Sequence, residues 1–192
     1  ASKIVFSTAW QRDIFIPAYD LNIKNTAVIE NYYGQKEGDF EPNQRPKTFV
    51  ASGRDLKLKN IDILKHVFNK KESKISQNID LLTSAINFPE FIEKVKDCYA
   101  VVVVSLSEVS PNIILDAIRF NRPFICTKEI GIYDRIRDAG IFIDPLNEDQ
   151  IEKAILHLLD KNGYEEAKEK VGNFSFTHTW EEIAEEFLNL YK

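Results

Sequence analysis

Two cations on one short loop are the first residues in the sequence that could bind a ligand. Arg54 and Lys59 follow a short apolar strand predicted over residues 48–52, and Gly53 lets the backbone turn sharply after that strand. Together they suit a diphosphate, because an arginine binds two oxygens at once and a lysine acts as a point charge. A solvated basic loop is the alternative, and the residue types and spacing leave both interpretations open.

Two acidic residues, Glu108 and Asp116, lie eight positions apart around the start of a predicted helix. Ser110 is predicted to cap this helix, with Pro111 at its first position, so Asp116 lies one to two turns inside it. Carboxylates at the ligand-binding edge of a parallel sheet suit sugar hydroxyls, as the acidic residue that binds ribose in dinucleotide-binding folds shows. Both could equally be ordinary surface charges, with Asp116 stabilised near the positive end of the helix.

The start of the same helix offers a second kind of contact. The backbone N–H groups of Asn112 and Ile113 have no partner within the helix, so they form a natural anion site. After the next predicted strand, Gly131 permits close approach of a ligand to the backbone, although a plain turn explains it at least as well.

The elements that position these residues alternate regularly from Lys47 onwards. The β-branched run from Ala100 to Val104 has no polar alternation, which indicates a strand buried on both faces, hence a central strand of a parallel sheet. Strands and helices repeat in units of about 25–30 residues, which predicts an α/β fold with a Rossmann-like, doubly wound parallel sheet. The loops described above then lie beyond the carboxyl ends of the strands, where such sheets bind ligands.

Local signals predict where the last helices begin and end. Asn147 with Gln150 predicts a capping box at the start of one helix, and Gly163 is predicted to end that helix. Thr179 with Glu182 predicts a second capping box before a final helix.

Residues 31–46 are rich in glycine, proline and charge, and they separate the regular alternation from two short predicted strands before it. We therefore predict residues 1–46 to be a tail and interdomain linker, and residues 47–192 to be the Rossmann-like domain. The chain contains no methionine, and we expect it to be a piece of a longer protein.

Composition narrows the classes of function. The net charge of −5 argues against a nucleic-acid-binding surface, although a local basic pocket stays possible. No apolar run approaches the roughly 20 residues of a membrane helix. Two cysteines fit reduced thiols better than a disulfide framework, so we expect a cytoplasmic location.

Several catalytic motifs do not occur in the sequence. There is no Gly-x-Ser-x-Gly elbow, no glycine-rich phosphate loop of either common type, and no histidine or cysteine pair with metal-ligand spacing. Nucleophilic-serine hydrolysis, P-loop hydrolysis and hydride transfer with a dinucleotide are therefore disfavoured.

Taken in order, the segments resemble the C-terminal half of the group 1 (family 4) glycosyltransferases, the retaining enzymes of the GT-B fold. Gly53-Arg54 with Lys59 resembles that family's Gly-Arg-Leu…Lys-Gly loop, and residues 107–117 resemble its motif of two acids separated by seven residues. Residues 121–124 resemble its G-x-P-V segment, and residues 176–191 resemble its terminal helix. The ordered set is far more specific than any single motif.

The resemblance implies a role for each candidate residue. Arg54 and Lys59 would bind the diphosphate of a nucleotide-sugar donor, Glu108 would contact the transferred sugar, and these three would form the catalytic set. Asp116 would hold the ribose. The donor site would also include Gly53, Asn112, Ile113 and Gly131. No cofactor and no metal would be needed, because fixed cations stabilise the charge that builds on the departing diphosphate.

The resemblance also implies partners. The acceptor, a sugar, lipid or protein, would bind a first domain that we expect to be absent here, and membrane association would come only through that domain. The chain alone would then transfer little or no sugar. In this sequence Asp116 stands where the family has Glu, and Val109 and Ser110 stand where it often has Gly. A non-catalytic nucleotide- or partner-binding module and a sugar-nucleotide epimerase are the alternatives.

Overall fold

The computed structural model describes residues 3–38, 47–51, 57–70, 75, 79–82 and 87–191. Within these ranges the strands are β1 (Ile4–Phe6), β2 (Thr26–Val28), β3 (Lys47–Ala51), β4 (Ile79–Leu82), β5 (Ala100–Val103), β6 (Phe124–Thr127) and β7 (Ile141–Ile143). The helices are α1 (Ala9–Ala18), α2 (Ile61–Asn69), α3 (Phe88–Asp97), α4 (Asn112–Arg119), α5 (Tyr133–Ile136), α6 (Glu148–Leu159), α7 (Lys161–Asn173) and α8 (Trp180–Asn189). None of the helices in the described ranges is long and apolar enough to cross a membrane.

Five strands form one parallel sheet in the order β4-β3-β5-β6-β7. Helices cover both faces: α2, α6 and α7 pack on one face, and α3, α4 and α5 pack on the other. The predicted α/β fold with a Rossmann-like, doubly wound sheet is therefore confirmed.

The central strand β5 shows why the sheet is buried on both faces. Ala100 and Val102 face the core that contains α2 and α6, whereas Val101 and Val103 face the core that contains α4. These four side chains are at most 3% exposed. Since burial of one valine side chain contributes about 1.5–3 kcal/mol, an unbroken β-branched run is stabilised only where both faces are covered.

Residues 3–38 carry a second, two-stranded parallel sheet of β1 and β2, with α1 beside it. The segment after β2 is tied to the rest of the chain. Tyr33 and His178 exchange two backbone hydrogen bonds, of 3.0 and 3.1 Å. Arg135 binds Glu30 with its Nη2 at 2.7 Å. The predicted domain boundary at residue 46 lies outside the described residues and stays a prediction.

The prediction that Gly163 ends a helix is wrong. Helix α6 ends at Leu159, and Asp160 starts α7 by accepting hydrogen bonds of 3.0 Å from the backbone N–H groups of Asn162 and Gly163. A Cβ atom on Gly163 would lie 2.1 Å from the carbonyl oxygen of His157. Close packing at the junction of two helices therefore explains this glycine.

The predicted caps of three further helices differ in outcome. Ser110 does not cap α4: Pro111 occupies the cap position, and the buried Ser110 hydroxyl has no hydrogen-bond partner among the described residues. The capping box of Thr179 and Glu182 is confirmed at the start of α8. At α6, Asn147 caps the backbone N–H of Gln150 as predicted, but the Gln150 side chain accepts from another residue, so the box is half formed.

Candidate functional site

The order of the strands reverses between β3 and β5, because the chain passes from β4 at one edge across β3 to β5. In open α/β sheets, ligands bind in the crevice that opens at such a point. The loop after β3 ends at the 3-10 turn Lys57–Lys59. The Leu58 carbonyl there accepts a hydrogen bond of 2.8 Å from the N–H of Leu106, in the loop after β5. This bond joins the two loops at the carboxyl edge of the sheet.

Lys59 and Glu108, which the sequence places in different loops, form an ion pair at this point. The Ser105 hydroxyl donates a hydrogen bond of 2.6 Å to the same Glu108 carboxylate oxygen, Oε1. The side chain of Lys59 is 18% exposed and that of Glu108 is 12% exposed. Both charges are therefore largely removed from water, and each neutralises the other.

The backbone of Glu108 ties this site to the loop after β6. Its N–H donates to the carbonyl of Glu129, and its carbonyl accepts from the N–H of Gly131, both at 2.9 Å. A Cβ atom on Gly131 would lie 2.7 Å from the carbonyl oxygen of Val109 and 2.7 Å from the hydroxyl of Thr8. Packing within the protein therefore leaves no room for a side chain at position 131.

Helix α4 places the other candidate residues. Asn112 and Asp116 lie one turn apart on α4, and both line a cavity of about 630 Å³. The side chain of Ile113 is 5% exposed and belongs to the core, so only its backbone N–H could face a ligand. The cavity also contacts the ends of β1 and β2, the start of α3 and one face of α8.

Burial raises the pKa of the Asp116 carboxyl to about 6. The neighbouring charges have opposing effects, because Arg119 lowers this pKa and Glu37 raises it. Arg119 pairs with Glu37, to which its Nε donates at 2.8 Å. Among the described residues, the Asp116 carboxyl has no ion pair or side-chain hydrogen bond. It is a half-buried acid that faces the cavity.

The structure thus places the predicted residues in two groups. Lys59 and Glu108 meet at the reversal of the sheet, and the Gly131 N–H binds the Glu108 carbonyl. Asn112 and Asp116 lie along α4 and face the cavity instead. Gly53 and Arg54 lie outside the described residues. The assignment of all these residues to donor binding stays a prediction.

Sequence reasoning missed two residues of this region. Ser105 is 1% exposed and binds Glu108, and its position at the end of the buried run from Ala100 to Val104 was the signal that could have identified it. Phe88 lines the same cavity as Asp116 and is 69% exposed. In the part of the chain that the structure describes, no cluster of three or more histidine, cysteine or acidic residues could hold a metal ion.

No protein-family model and no curated protein matches this sequence. Solved structures do match it. HepE from Anabaena, in complex with UDP and glucose, superposes with a TM-score of 0.77 at 13% identity, over 100% of this chain and 63% of that chain. A TarM variant from S. aureus, in complex with Fondaparinux, alpha-GlcNAc-glycerol and UDP, gives 0.71 at 19% identity, over 99% of this chain and 44% of that chain.

Sucrose-phosphate synthase from Thermosynechococcus elongatus gives a TM-score of 0.69 at 14% identity, over 97% of this chain and 57% of that chain. The fold is that of the GT-B glycosyltransferases. The predicted fold, a Rossmann-like sheet that makes up one half of a GT-B architecture, is thereby confirmed. The GT-B likeness extends over nearly the whole of this chain, which spans about half the length of these neighbours.

Proposed function

We propose that this chain is the donor-binding half of a retaining glycosyltransferase that uses a nucleotide-diphosphate sugar. The observation that carries the proposal is the contact of Lys59 with Glu108 at the reversal between β3 and β5, in a chain with a GT-B fold. A cation and a carboxylate at this edge of the sheet suit the two chemically different parts of such a donor: its diphosphate and its sugar hydroxyls.

Each residue has a distinct task in this proposal. Lys59, together with Arg54, binds the diphosphate and stabilises the negative charge that builds on it as the sugar leaves. Glu108 accepts hydrogen bonds from hydroxyls of the transferred sugar. Asp116 holds the ribose, and the N–H groups of α4 at Asn112 and Ile113 contact phosphate or sugar.

Donor binding would exchange one ion pair for two ligand contacts. Without ligand, Lys59 and Glu108 neutralise each other. A diphosphate competes for the ammonium group of Lys59 because it carries more negative charge than one carboxylate. Glu108, released from Lys59, is then free to accept hydrogen bonds from the sugar. After the exchange Lys59 pairs with the diphosphate, and the Glu108 carboxylate is compensated by hydrogen bonds from the Ser105 hydroxyl and the sugar hydroxyls.

Titration calorimetry tests the donor site directly. UDP is the first probe, because it is present in the HepE and TarM structures, and GDP and ADP follow. We expect one of the three to bind. The double variant Lys59→Met/Glu108→Gln removes both charges at similar volume, and we expect its nucleotide affinity to fall at least about ten-fold.

The variant Lys170→Met is the matched control, because it removes an exposed lysine that pairs with Glu166 on α7. Its nucleotide affinity should equal that of the wild type. If none of the three nucleotides binds the wild type, the proposal is wrong. If the double variant binds as tightly as the wild type, Lys59 and Glu108 do not form the site.

Activity assays test the remaining parts of the proposal. With a nucleotide-sugar and an acceptor, we expect little or no transfer by this chain alone, since the acceptor half would lie elsewhere. Turnover near that of an intact enzyme would refute this. Analysis of the products from donor alone would reveal an epimerase instead, through the appearance of a second sugar isomer.

A non-catalytic nucleotide- or partner-binding module is the second candidate. It is favoured by the engagement of Glu108, whose carboxylate is occupied by both Lys59 and Ser105. Tight binding of a nucleotide with equal affinity for the corresponding nucleotide-sugar would support this candidate, because Glu108 would then make no contact with a sugar.

A further inference from the structure

We propose that a second cavity, beside α8, binds a small aliphatic diamine or triamine through its primary ammonium groups. This acidic cavity has a volume of about 460 Å³, and its lining includes four glutamates: Glu30, Glu182, Glu185 and Glu186. Neither Lys59 nor Glu108 lines it. The inference therefore goes beyond the proposed function and does not depend on donor binding.

His178 places a buried acceptor at the wall of the acidic cavity. The residue is 7% exposed, and its Nδ1 lies 3.2 Å from the carbonyl oxygen of Asn31. Because a carbonyl oxygen only accepts hydrogen bonds, Nδ1 carries the hydrogen of the ring. In the neutral ring Nε2 is then an acceptor, and among the described residues it has no hydrogen-bond partner.

A carboxylate lies opposite this acceptor. Oε1 of Glu186 is 3.4 Å from Nε2 of His178. Since a carboxylate is also an acceptor, the two atoms repel each other unless a donor satisfies both. A primary ammonium group carries three N–H donors and one positive charge, so it can bind the ring nitrogen and the carboxylate together.

A second proton on the His178 ring is the alternative donor. It would neutralise Glu186, but it would leave Glu185, which lines the same cavity without an ion pair among the described residues. Imidazole ordinarily loses this proton near about pH 6.5, so a ligand is the donor that we expect at pH 8. The experiment below separates the two donors.

The other charged groups of the acidic cavity already have partners. Arg135 donates to Glu30 from its Nη2 at 2.7 Å, and its guanidinium lies 3.8 Å from the centre of the Phe176 ring. Glu182 accepts a hydrogen bond of 2.7 Å within the capping box of α8. The other two glutamates of α8 that line the cavity are therefore the ones left for the positive charges of a ligand.

The donor set favours an organic cation over a metal ion. A metal ion needs several ligands at about 2.0–2.6 Å, and in the described part of the chain no three histidine, cysteine or acidic side chains converge in this way. An ammonium group needs fewer acceptors, at about 2.9 Å. The two acceptors at His178 and Glu186 therefore suit nitrogen better than a metal.

The extent of the lining favours a ligand with more than one ammonium group. Glu182, Glu186 and Asn189 all line the acidic cavity, and they span seven residues of α8. At a rise of 1.5 Å per residue this is about 10 Å along the helix. An extended diamine or triamine can bind one ammonium group at His178 and place another further along α8.

Calorimetric titration at pH 8 with putrescine and with spermidine tests the site. We expect at least one of the two to bind the wild type. Glu186→Gln removes the charge opposite His178 at similar volume and should weaken binding about ten-fold, the order of effect of one charge-assisted hydrogen bond. Glu181→Gln is the matched control, because Glu181 carries the same charge on the same helix but does not line the acidic cavity.

A third titration distinguishes the source of the ammonium group. Nα-acetyl-lysine amide carries the same group as a lysine side chain of another protein. We expect it to bind more weakly than spermidine, since it has a single ammonium group. If it binds and neither putrescine nor spermidine does, the small-amine assignment is wrong and the site takes a lysine side chain.

NMR of the imidazole nitrogens tests the role of His178 itself. At pH 8 without ligand we expect the hydrogen on Nδ1 and none on Nε2, and the Nε2 signal should move when spermidine is added. A proton on Nε2 under these conditions would overturn the proposal. Equal amine affinity of the wild type and Glu186→Gln would overturn it too, as would the absence of binding in the millimolar range. None of these results bears on the donor site, because UDP binding is measured separately.

Discussion

Glu108 and Asp116 are both acidic, lie eight residues apart and are both shielded from water, yet their surroundings are opposite. The Glu108 carboxylate is bound by Lys59 and by the Ser105 hydroxyl. The Asp116 carboxyl faces a cavity without an ion pair among the described residues, and burial raises its pKa to about 6. One acid is satisfied within the protein, and the other is left to be satisfied by a ligand or a proton.

This difference shows two ways in which a protein can keep an acid ready for a ligand. A paired carboxylate is already neutralised by its cation, and a ligand must displace that partner. An unpaired buried carboxyl can take up a proton, and a hydroxyl-bearing ligand compensates for its burial directly. Substitutions that disturb the paired acid should change the unfolding free energy most, and a substitution of the unpaired acid should change it least.

Removal of Lys59 should have the largest effect on stability. Lys59→Met leaves the Glu108 carboxylate without its cation at 12% exposure, and loss of one partner of such a pair costs about 3 kcal/mol. Addition of Glu108→Gln should restore most of this loss, because the uncompensated charge disappears. Urea unfolding measures both free energies.

The exposed pair of Lys170 and Glu166 provides the control for this prediction. Lys170→Met should give no measurable loss, since an exposed charge that loses its partner is hydrated by water. An equal loss in Lys59→Met and in Lys59→Met/Glu108→Gln would contradict the pairing, since the cost would then come from packing of the lysine stem.

Ser105→Ala should have the second largest effect. The Ser105 hydroxyl is buried and donates at 2.6 Å to a charged acceptor, so its removal should cost about 2 kcal/mol of unfolding free energy. Ser107→Ala, two positions along the same loop, is the control and should cost little. In the Glu108→Gln background the cost of Ser105→Ala should shrink, and an undiminished cost would show that the hydroxyl does not act through Glu108.

Asp116→Asn should have the smallest effect, and the effect should depend on pH. Because the folded-state pKa of Asp116 is raised to about 6, the folded protein binds this proton more tightly than the unfolded chain. The resulting stability is complete below about pH 4 and is lost as the pH rises through about 6. At pH 7.5 the asparagine variant should therefore be more stable than the wild type, by about 1 kcal/mol.

Urea unfolding of both proteins from pH 4 to pH 8 checks this prediction. The difference in unfolding free energy should grow in favour of Asp116→Asn between about pH 4 and pH 6 and then level off. A difference that stays constant over this range would mean that Asp116 is not a buried acid. Asp138→Asn is the exposed control.

The order of strands and helices could be predicted from the sequence because each element carries its own local pattern, and several patterns indicate the same fold. The run from Ala100 to Val104 can be buried on both faces only inside a parallel sheet, and Thr179 with Glu182 forms the same capping box in the structure as in the sequence. Helix α7 was missed because Gly163 ordinarily marks a helix end. Tertiary packing decides it instead, since Tyr164 stacks on Tyr99 with ring centroids 4.3 Å apart.

The site was harder to predict than the fold. The residue types predicted Lys59 and Glu108 to be ligand-binding groups, but nothing in a linear sequence indicates that charges from two loops pair with each other. The Asp116 environment depends on the cavity, which forms between elements far apart in sequence. The sequence analysis drew no inference from Phe88, and only the folded chain shows that this residue is 69% exposed at the wall of the cavity.

The isolated backbone bridge between Tyr33 and His178 has a consequence for biosynthesis. Their two backbone hydrogen bonds join residues 145 positions apart, and the Lys36 side chain is held by the carbonyl of Val171 at a similar separation. Contacts of such long sequence separation form late, because the intervening loop must close first. During translation, residues 31–36 therefore lack these partners until every strand of the larger sheet has been made, and their docking is among the final steps of folding.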